Sequence, residues 1–325
     1  MQVGNEFKLA KNVEMKFRQL GLSGLTVSEV GLGCNNFGGR CDFERSKEVI
    51  FAALDEGITL FDTADIYGNV GGSETFMGEI LKGNREKVVL ASKFGMSMET
   101  GDIARGSRRY IRKALEASLA RLQTDYLDLY QFHEPDPLTP IEETLAALDE
   151  VVREGKVRYI GSSNLQGWQI AEADLLARSH RWQRFISAQN NYSLVNRKIE
   201  AEVIPAAKHF GVGILPYYPL AAGLLSGKFK RDQPAVPNTR LASRPSVLMS
   251  ANFELLEELE LFAGNRGMGL LELAFAWLLS NPSVSSVIAG ATSGEQLRAN
   301  ASTNRFSLNS TELDVIEDIL ARYAN

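Results

Sequence analysis

The chain is poor in cysteine and histidine: Cys34 and Cys41 are its two cysteines, and His133, His180 and His209 its three histidines, in 325 residues. Two thiols seven residues apart in a glycine-rich stretch make no disulfide framework and no CxxC pair, which leaves at most an isolated thiol role open. The three histidines show no ligand spacing, so no metal site is expected. Positive charge is not in excess. Thirty-five Lys and Arg against 40 Asp and Glu leave a net charge of −5, which gives no electrostatic reason to expect nucleic acid or an acidic membrane as partner. Long hydrophobic runs are missing too: none approaches the roughly 20 apolar residues of a spanning helix. The opening MQVGNEFKLAKNVEMKF carries no apolar signal-peptide core, and a cytoplasmic protein is expected. There is no tandem repeat, low-complexity tract, interdomain linker or GxSxG nucleophile motif, and GLGCNNFGG has the wrong spacing for a dinucleotide-binding GxGxxG.

What is present is a large apolar fraction, 44%, with 23% charged residues. That suits one large α/β domain better than two small ones. Segments with strand and helix patterns alternate. The expected strands are VSEVGLG, ITLFDTA, KVVLASK, YLDLYQF, VRYIGSS, FISAQNN, GVGILPY and VSSVIAG. Between them, 43–57, 107–123 and 141–155 repeat apolar residues at helical spacing. Eight strands in βα alternation predict a closed (β/α)8 TIM barrel of the kind that commonly takes about 250 residues. MKFRQLG and LTVSEVGLG predict an N-terminal β-hairpin across its floor. A long polar segment, GKFKRDQPAVPNTRLASRPSV, interrupts the pattern after Pro219. Loops of that length in a compact domain tend to be functional or disordered.

Four ionisable residues, Asp62, Tyr67, Lys93 and His133, stand at or just past the ends of three expected strands. In a parallel barrel those ends share one mouth. The chemistry suggested is acid catalysis by a phenol. An adjacent Lys93 ammonium would favour the Tyr67 phenolate and make it a better proton donor, Asp62 would hold Lys93, and His133 would orient a carbonyl oxygen. Singly, each has a structural explanation: Asp62 as a turn residue, Lys93 as a salt-bridge partner, His133 as a buried histidine.

Through FDTADIYG, ASKFG, LYQFHEPD, GSSN, QNNYSL, PYYPLAAGLLSGK and GATSGEQLRAN, the chain resembles the aldo-keto reductase superfamily, with particular similarity to its potassium-channel β-subunit branch. The match runs from about residue 15, so residues 1–14 are read as an N-terminal extension of unknown use and 15–325 as the barrel domain. The resemblance implies a nicotinamide dinucleotide at the barrel mouth. Ser163, Asn164 and Gln189 would hold the nicotinamide amide, with the Tyr217 ring stacked on it; taken alone, Ser163 and Asn164 equally fit a helix cap and Tyr217 barrel packing. Gly33, Pro219, Leu220, Gly223, Leu225, Lys228, Arg240, Gly290, Thr292, Gln296 and Asn300 complete the implied cofactor site. Basic residues common after the eighth strand are replaced here by Gly290 and Gln296, and Lys228 and Arg240 would grip the 2′-phosphate instead. NADPH is expected over NADH, and the long loop is expected to cover it.

The activity implied is reduction of aldehydes or ketones, with Phe37, Ile66, Phe94, Tyr192 and Tyr218 as candidate lining of a pocket for a small carbonyl substrate. Two alternatives stay open: a nucleotide-binding regulatory protein with slow turnover, like the channel β-subunits, and a Schiff-base aldolase using Lys93. Neither the particular substrate nor the oligomeric state is legible in the residues.

Overall fold

The computed structural model describes residues 14–98, 101, 103–234, 236–237 and 239–323. Residues 1–13 of the expected extension lie outside the described residues. A hairpin of β1 (Phe17–Gln19) and β2 (Thr26–Ser28) precedes eight parallel strands. These are β3 (Val30–Gly33), β4 (Leu60–Asp62), β5 (Val89–Phe94), β6 (Leu127–Phe132), β7 (Val157–Ser163), β8 (Phe185–Asn191), β9 (Gly213–Tyr217) and β10 (Val287–Gly290). Neighbours pair in chain order, and β10 returns to pair with β3. Hydrogen bonds from Ile214 N to Ser283 O (2.7 Å) and from Ser285 N to Ile214 O (2.9 Å) close the remaining gap next to β9. The eight expected strands and the hairpin are all present; Val27 and Ser28, read as part of the first barrel strand, belong to the hairpin.

Helices fill the crossovers because a parallel pair needs a long connection packed back onto the sheet. They are α1 (Phe43–Asp55), α2 (Tyr67–Ile80), α3 (Arg108–Leu122), α4 (Ile141–Arg153), α5 (Gly167–His180), α6 (Val203–Phe210), α7 (Pro245–Met249), α8 (Phe253–Asn265), α9 (Leu270–Ser280), α10 (Gly294–Ser302) and α11 (Ser310–Arg322). Side chains written just ahead of the apolar stripes start several of them. The Asp42 carboxylate accepts from Arg45 N at 2.9 Å, and the Ser107 and Asn252 side chains do the same for α3 and α8. On α4 the buried face is Leu145, Leu148 and Val151, at the i, i+3, i+6 spacing of a helix stripe. Among the described residues, no helix is long and apolar enough to cross a membrane.

The hairpin seals one end. Leu20 and Val27 pack against Leu60, Ala91, Leu129, Leu215 and Ile288, which come from five barrel strands. Gly21 turns the chain with φ at +58°, and a Cβ there would lie 2.5 Å from the Ile186 carbonyl oxygen and 2.6 Å from that of Gly211. No L-residue side chain fits that turn. Gly21→Ala is expected to lower the urea-unfolding midpoint by the equivalent of about 2 kcal/mol, from left-handed backbone strain plus overpacking. The loss should be confined to stability, since the plug lies at the end opposite the mouth; an unchanged midpoint would contradict the plug.

Candidate active site

At the opposite end, the lateral register sets the floor of a cavity. Gly290, Gly33 and Asp62 are successive partners across β10, β3 and β4, and Lys93 pairs with Gln131 across β5 and β6. Asp62 and Lys93 are buried, at 3% and 0% exposure. Lys93 Nζ donates to Asp62 Oδ2 at 2.7 Å and to the Thr63 carbonyl at 2.8 Å. The other carboxylate oxygen, Oδ1, accepts from Gln131 Nε2 at 3.0 Å and Gln189 Nε2 at 2.9 Å. A buried ion pair is tolerable when its remaining lone pairs and protons are satisfied in this way.

Lys93 Nζ also lies 4.9 Å from the centroid of the Tyr67 ring, and the Tyr67 and His133 rings meet edge to face with centroids 5.8 Å apart. The four residues singled out in the sequence therefore form one cluster. Burial acts to depress the Lys93 ammonium, but the Asp62 carboxylate and Tyr67 phenol outweigh it and leave its pKa raised. A cation held in that way is a poor nucleophile, which weighs against the aldolase reading.

The expected acidification of Tyr67 is corrected. Its pKa is raised from the ordinary value: burial disfavours the phenolate more than the Lys93 charge and hydrogen bond favour it. The phenol thus keeps its proton through neutral pH. His133 goes the other way. Burial, helped by repulsion from Lys93, lowers its pKa to about 3, so the imidazole is neutral.

Tyr67 sits on an unusual turn. The residues after it, Gly68, Asn69, Val70 and Gly71, all have positive φ, between 57° and 97°, before right-handed helix begins. Left-handed Val70 is costly because its branched side chain crowds the backbone. Hydrogen bonds from Thr63 N to Ala91 O (2.9 Å) and Asp65 N to Lys93 O (3.2 Å) tie the turn to β5.

The cavity has a volume of about 480 Å³, in the range of small-molecule sites. Asp62, Tyr67 and His133 reach its wall, together with Gly33, Ser163, Asn164, Gln189, Tyr217, Pro219, Leu220, Gly223, Lys228, Arg240, Gly290, Thr292, Gln296 and Asn300. Leu225 does not: its side chain is fully buried in the core. Of the candidate pocket lining, Tyr218 alone faces the cavity. Phe37, Phe94 and Tyr192 are buried in the apolar core. Phe94 follows Lys93 on β5, so strand alternation turns it away from the mouth and onto Phe132 and Tyr130. The Tyr192 hydroxyl donates to Glu200 at 2.7 Å, and Ile66 lies outside the lining.

Asn164 Nδ2 donates to the His133 carbonyl (3.0 Å) and to Ser163 Oγ (3.1 Å), and Asn164 Oδ1 accepts from the Tyr217 hydroxyl (2.8 Å). With its amide nitrogen on Asp62, Gln189 has Oε1 left to offer a ligand. A Cβ on Gly33 would come 3.1 Å from Ile288, and one on Gly290 3.1 Å from Asn36, so glycine keeps this stretch of wall open to a close backbone approach. The long loop lies against the cavity with Lys228, Phe229, Thr239 and Arg240, and buried Phe229 and Leu241 anchor it. Arg240 spans to Asn35 Oδ1 and Asn36 Oδ1, both at 3.2 Å, over the Tyr218 ring.

Sequence reasoning missed Gln131, Asn35, Asn36, Arg40 and Glu134. Gln131 had a visible signal: a polar residue inside the apolar LYQF run, two positions before His133 and so on the same strand face. The loop residues Asn35, Asn36 and Arg40 had none. Cys34 and Cys41 are free and buried, and burial raises both thiols, which argues against a reactive role. Among the described residues no cluster of metal-ligating side chains occurs.

Comparison with known proteins agrees with this geometry. Residues 29–321 match the profile of the Aldo/keto reductase family. The chain is 39% identical to the uncharacterized oxidoreductase YrpG of Bacillus subtilis (strain 168), over 94% of this chain and 96% of that one. It is 35% identical to the aldo-keto reductase YhdN of the same organism, over 94% of each. A probable voltage-gated potassium channel subunit beta of Oryza sativa subsp. japonica is 35% identical over 88% of this chain and 90% of its own.

The neutral, buried His133 links stability to pH. Its folded pKa of about 3 lies below the ordinary 6.5, so the unfolded chain takes up the proton first. The contribution is complete above pH 6.5 and is lost as pH falls toward 3. Urea unfolding at pH 7.5 and 4.5 should show a smaller acid loss in His133→Gln than in the wild type; equal losses would refute the assignment.

Proposed function

Because the chain belongs to the aldo/keto reductase family, a family of nicotinamide-dependent oxidoreductases, we propose that it reduces aldehydes or ketones to alcohols with NADPH, using Tyr67 as the general acid. The observation that carries this reading is the placement of the Tyr67 phenol between the His133 ring and the Asp62-paired Lys93 on the cavity wall.

The cavity's polar groups fit a dinucleotide. Ser163, Asn164 and the free oxygen of Gln189 suit a carboxamide, which both donates and accepts. The Tyr217 ring beside them suits stacking. Lys228, Arg240 and Arg40 bring positive charge to the same cavity, which favours a phosphorylated ribose and hence NADPH over NADH. Thr292, Gln296 and Asn300 on and before α10 would hold the adenosine end. Bound there, the reduced nicotinamide supplies a hydride to the carbonyl carbon.

The protein's own work is at the oxygen. Neutral His133 orients the carbonyl oxygen without competing as an acid, and the protonated Tyr67 hydroxyl gives its proton to the forming alkoxide. Lys93 then faces the phenolate left behind, and its charge is what makes that transfer acceptable in a site shielded from water. Asp62 keeps Lys93 charged and aimed. The raised Tyr67 pKa leaves the phenol protonated at neutral pH and makes its proton harder to give up, so the Lys93 charge has to offset the cost of the phenolate.

The test is NADPH consumption across aliphatic, aromatic and sugar aldehydes, with NADH in parallel. Tyr67→Phe should keep NADPH binding and lose about 10²–10⁴ in kcat. Replacing Lys228 and Arg240 by Ala should cut the preference for NADPH over NADH by about tenfold or more, the worth of a charge-assisted hydrogen bond. Near-normal turnover in Tyr67→Phe ends the general-acid assignment. Tight NADPH binding with no carbonyl reduced points to the regulatory alternative.

A further inference from the structure

Behind the four clustered residues is a second, unassigned group of buried polar side chains. Asp65 is 1% exposed, and among the described residues neither of its carboxyl oxygens has a well-formed hydrogen bond, although the Ile66 amide acts on the group. Glu74 of α2, fully buried, is near enough for its charge to act on Asp65. Glu74 is itself well satisfied: Oε2 accepts from Arg121 Nε at 2.7 Å, and Oε1 accepts from the Ser92 hydroxyl. Arg121 of α3 and Lys93 of β5 are the cations that act on Asp65, and Tyr130 of β6, its hydroxyl without a partner among the described residues, feels the Asp65 charge. A buried carboxyl without partners for its charge favours the neutral acid. Glu74 holds the guanidinium and the hydroxyl, so the proton belongs on Asp65.

Asp65 occupies the turn that delivers Tyr67, two residues ahead of it. Its amide is tied to the Lys93 carbonyl at 3.2 Å, and the left-handed run Gly68–Gly71 follows. We propose that Asp65 is a positioning residue for Tyr67: its protonated carboxyl allows this turn to stay packed beside Glu74, whose oxygens are taken by Arg121 and Ser92, and loss of the proton shifts the turn and takes the phenol out of line with the substrate oxygen.

The electrostatics agree with the geometry. Burial first, and then the Glu74 charge, push the Asp65 carboxyl up to about 8, against the opposing pull of the Ile66 amide, Arg121 and Lys93. The folded pKa lies above the ordinary 3.8, so the stabilising contribution of the neutral acid is complete below pH 3.8 and is lost as pH rises through about 8. Reduction should therefore lose rate on an alkaline limb near pH 8, well before a raised phenol could itself ionise. The inference rests on Tyr67 as the acid, and a readout independent of turnover separates the two.

The experiment follows kcat for reduction from pH 6 to 9.5, and over the same range the NMR resonance of ring-labelled Tyr67, assigned through Tyr67→Phe. In the wild type, kcat is expected to fall at least tenfold, and the Tyr67 resonance to shift, both with a midpoint near 8. In Asp65→Asn, kcat at pH 6 stays within about threefold of wild type, while the limb and the shift are gone. Asp65→Ser serves in its place if the amide variant does not fold. A Tyr67 resonance that stays still across this range in the wild type overturns the proposal, as does an identical alkaline limb in a folded Asp65 variant. If no carbonyl compound is reduced at all, the function proposed above falls, and the resonance still decides the role of Asp65.

Discussion

The buried pair of Asp62 and Lys93 is the constraint around which the mouth of this barrel is arranged. An unpaired charge at that depth would be prohibitively costly, and even a paired one is tolerable only with its remaining sites filled. Each requirement recruits another element. The Thr63 carbonyl takes a second Lys93 proton, and Gln131 of β6 and Gln189 of β8 both donate to the far carboxylate oxygen. Residues from four strands are thereby locked in register around one carboxylate. The same pair sets the field in which Tyr67 and His133 operate.

That field acts differently on the two neighbours because burial does. Removing water disfavours whichever form is charged, so it raises the phenol and lowers the imidazole. The Lys93 charge softens the first shift and deepens the second. Both groups are then neutral at physiological pH, one carrying a proton to give and the other free of surplus charge. In an exposed Tyr–Lys–His cluster solvent would return each group to its ordinary range, and the imidazole would begin to take up a proton at about pH 6.5.

The half of the cavity lined by Ser163, Asn164, Tyr217 and Arg240 is built on a different principle, that of several polar groups each weakly committed. Asn164 bridges Ser163, the His133 carbonyl and Tyr217, and Arg240 rests on two asparagines across the mouth. Hydrogen bonds of that kind are easily exchanged for equivalent ones to a ligand, so the walls are shaped in advance without being closed. The loop that carries Lys228 and Arg240 is anchored through the apolar contacts of Phe229 and Leu241, leaving its polar residues to face the cavity.

The architecture was legible in the sequence because it follows from local rules. Eight apolar runs bounded by turns, with amphipathic helices between, admit few solutions other than a closed parallel barrel, and Asp62, Tyr67, Lys93 and His133 could be picked out because strand ends share a face. The limits were equally physical. Phe94 and Tyr192 look like pocket residues in one dimension, yet the hydrophobic effect takes them into the core, and Leu225 goes with them. Asn35, Asn36 and Arg40 sit in a loop whose path no periodicity describes. The sequence by itself determined which residues exist to be charged and on which element each lies. Only the tertiary structure decided which of them lost water, and so whether Tyr67, His133 and Asp65 hold or release a proton, because desolvation depends on everything packed around a group and not on its neighbours along the chain.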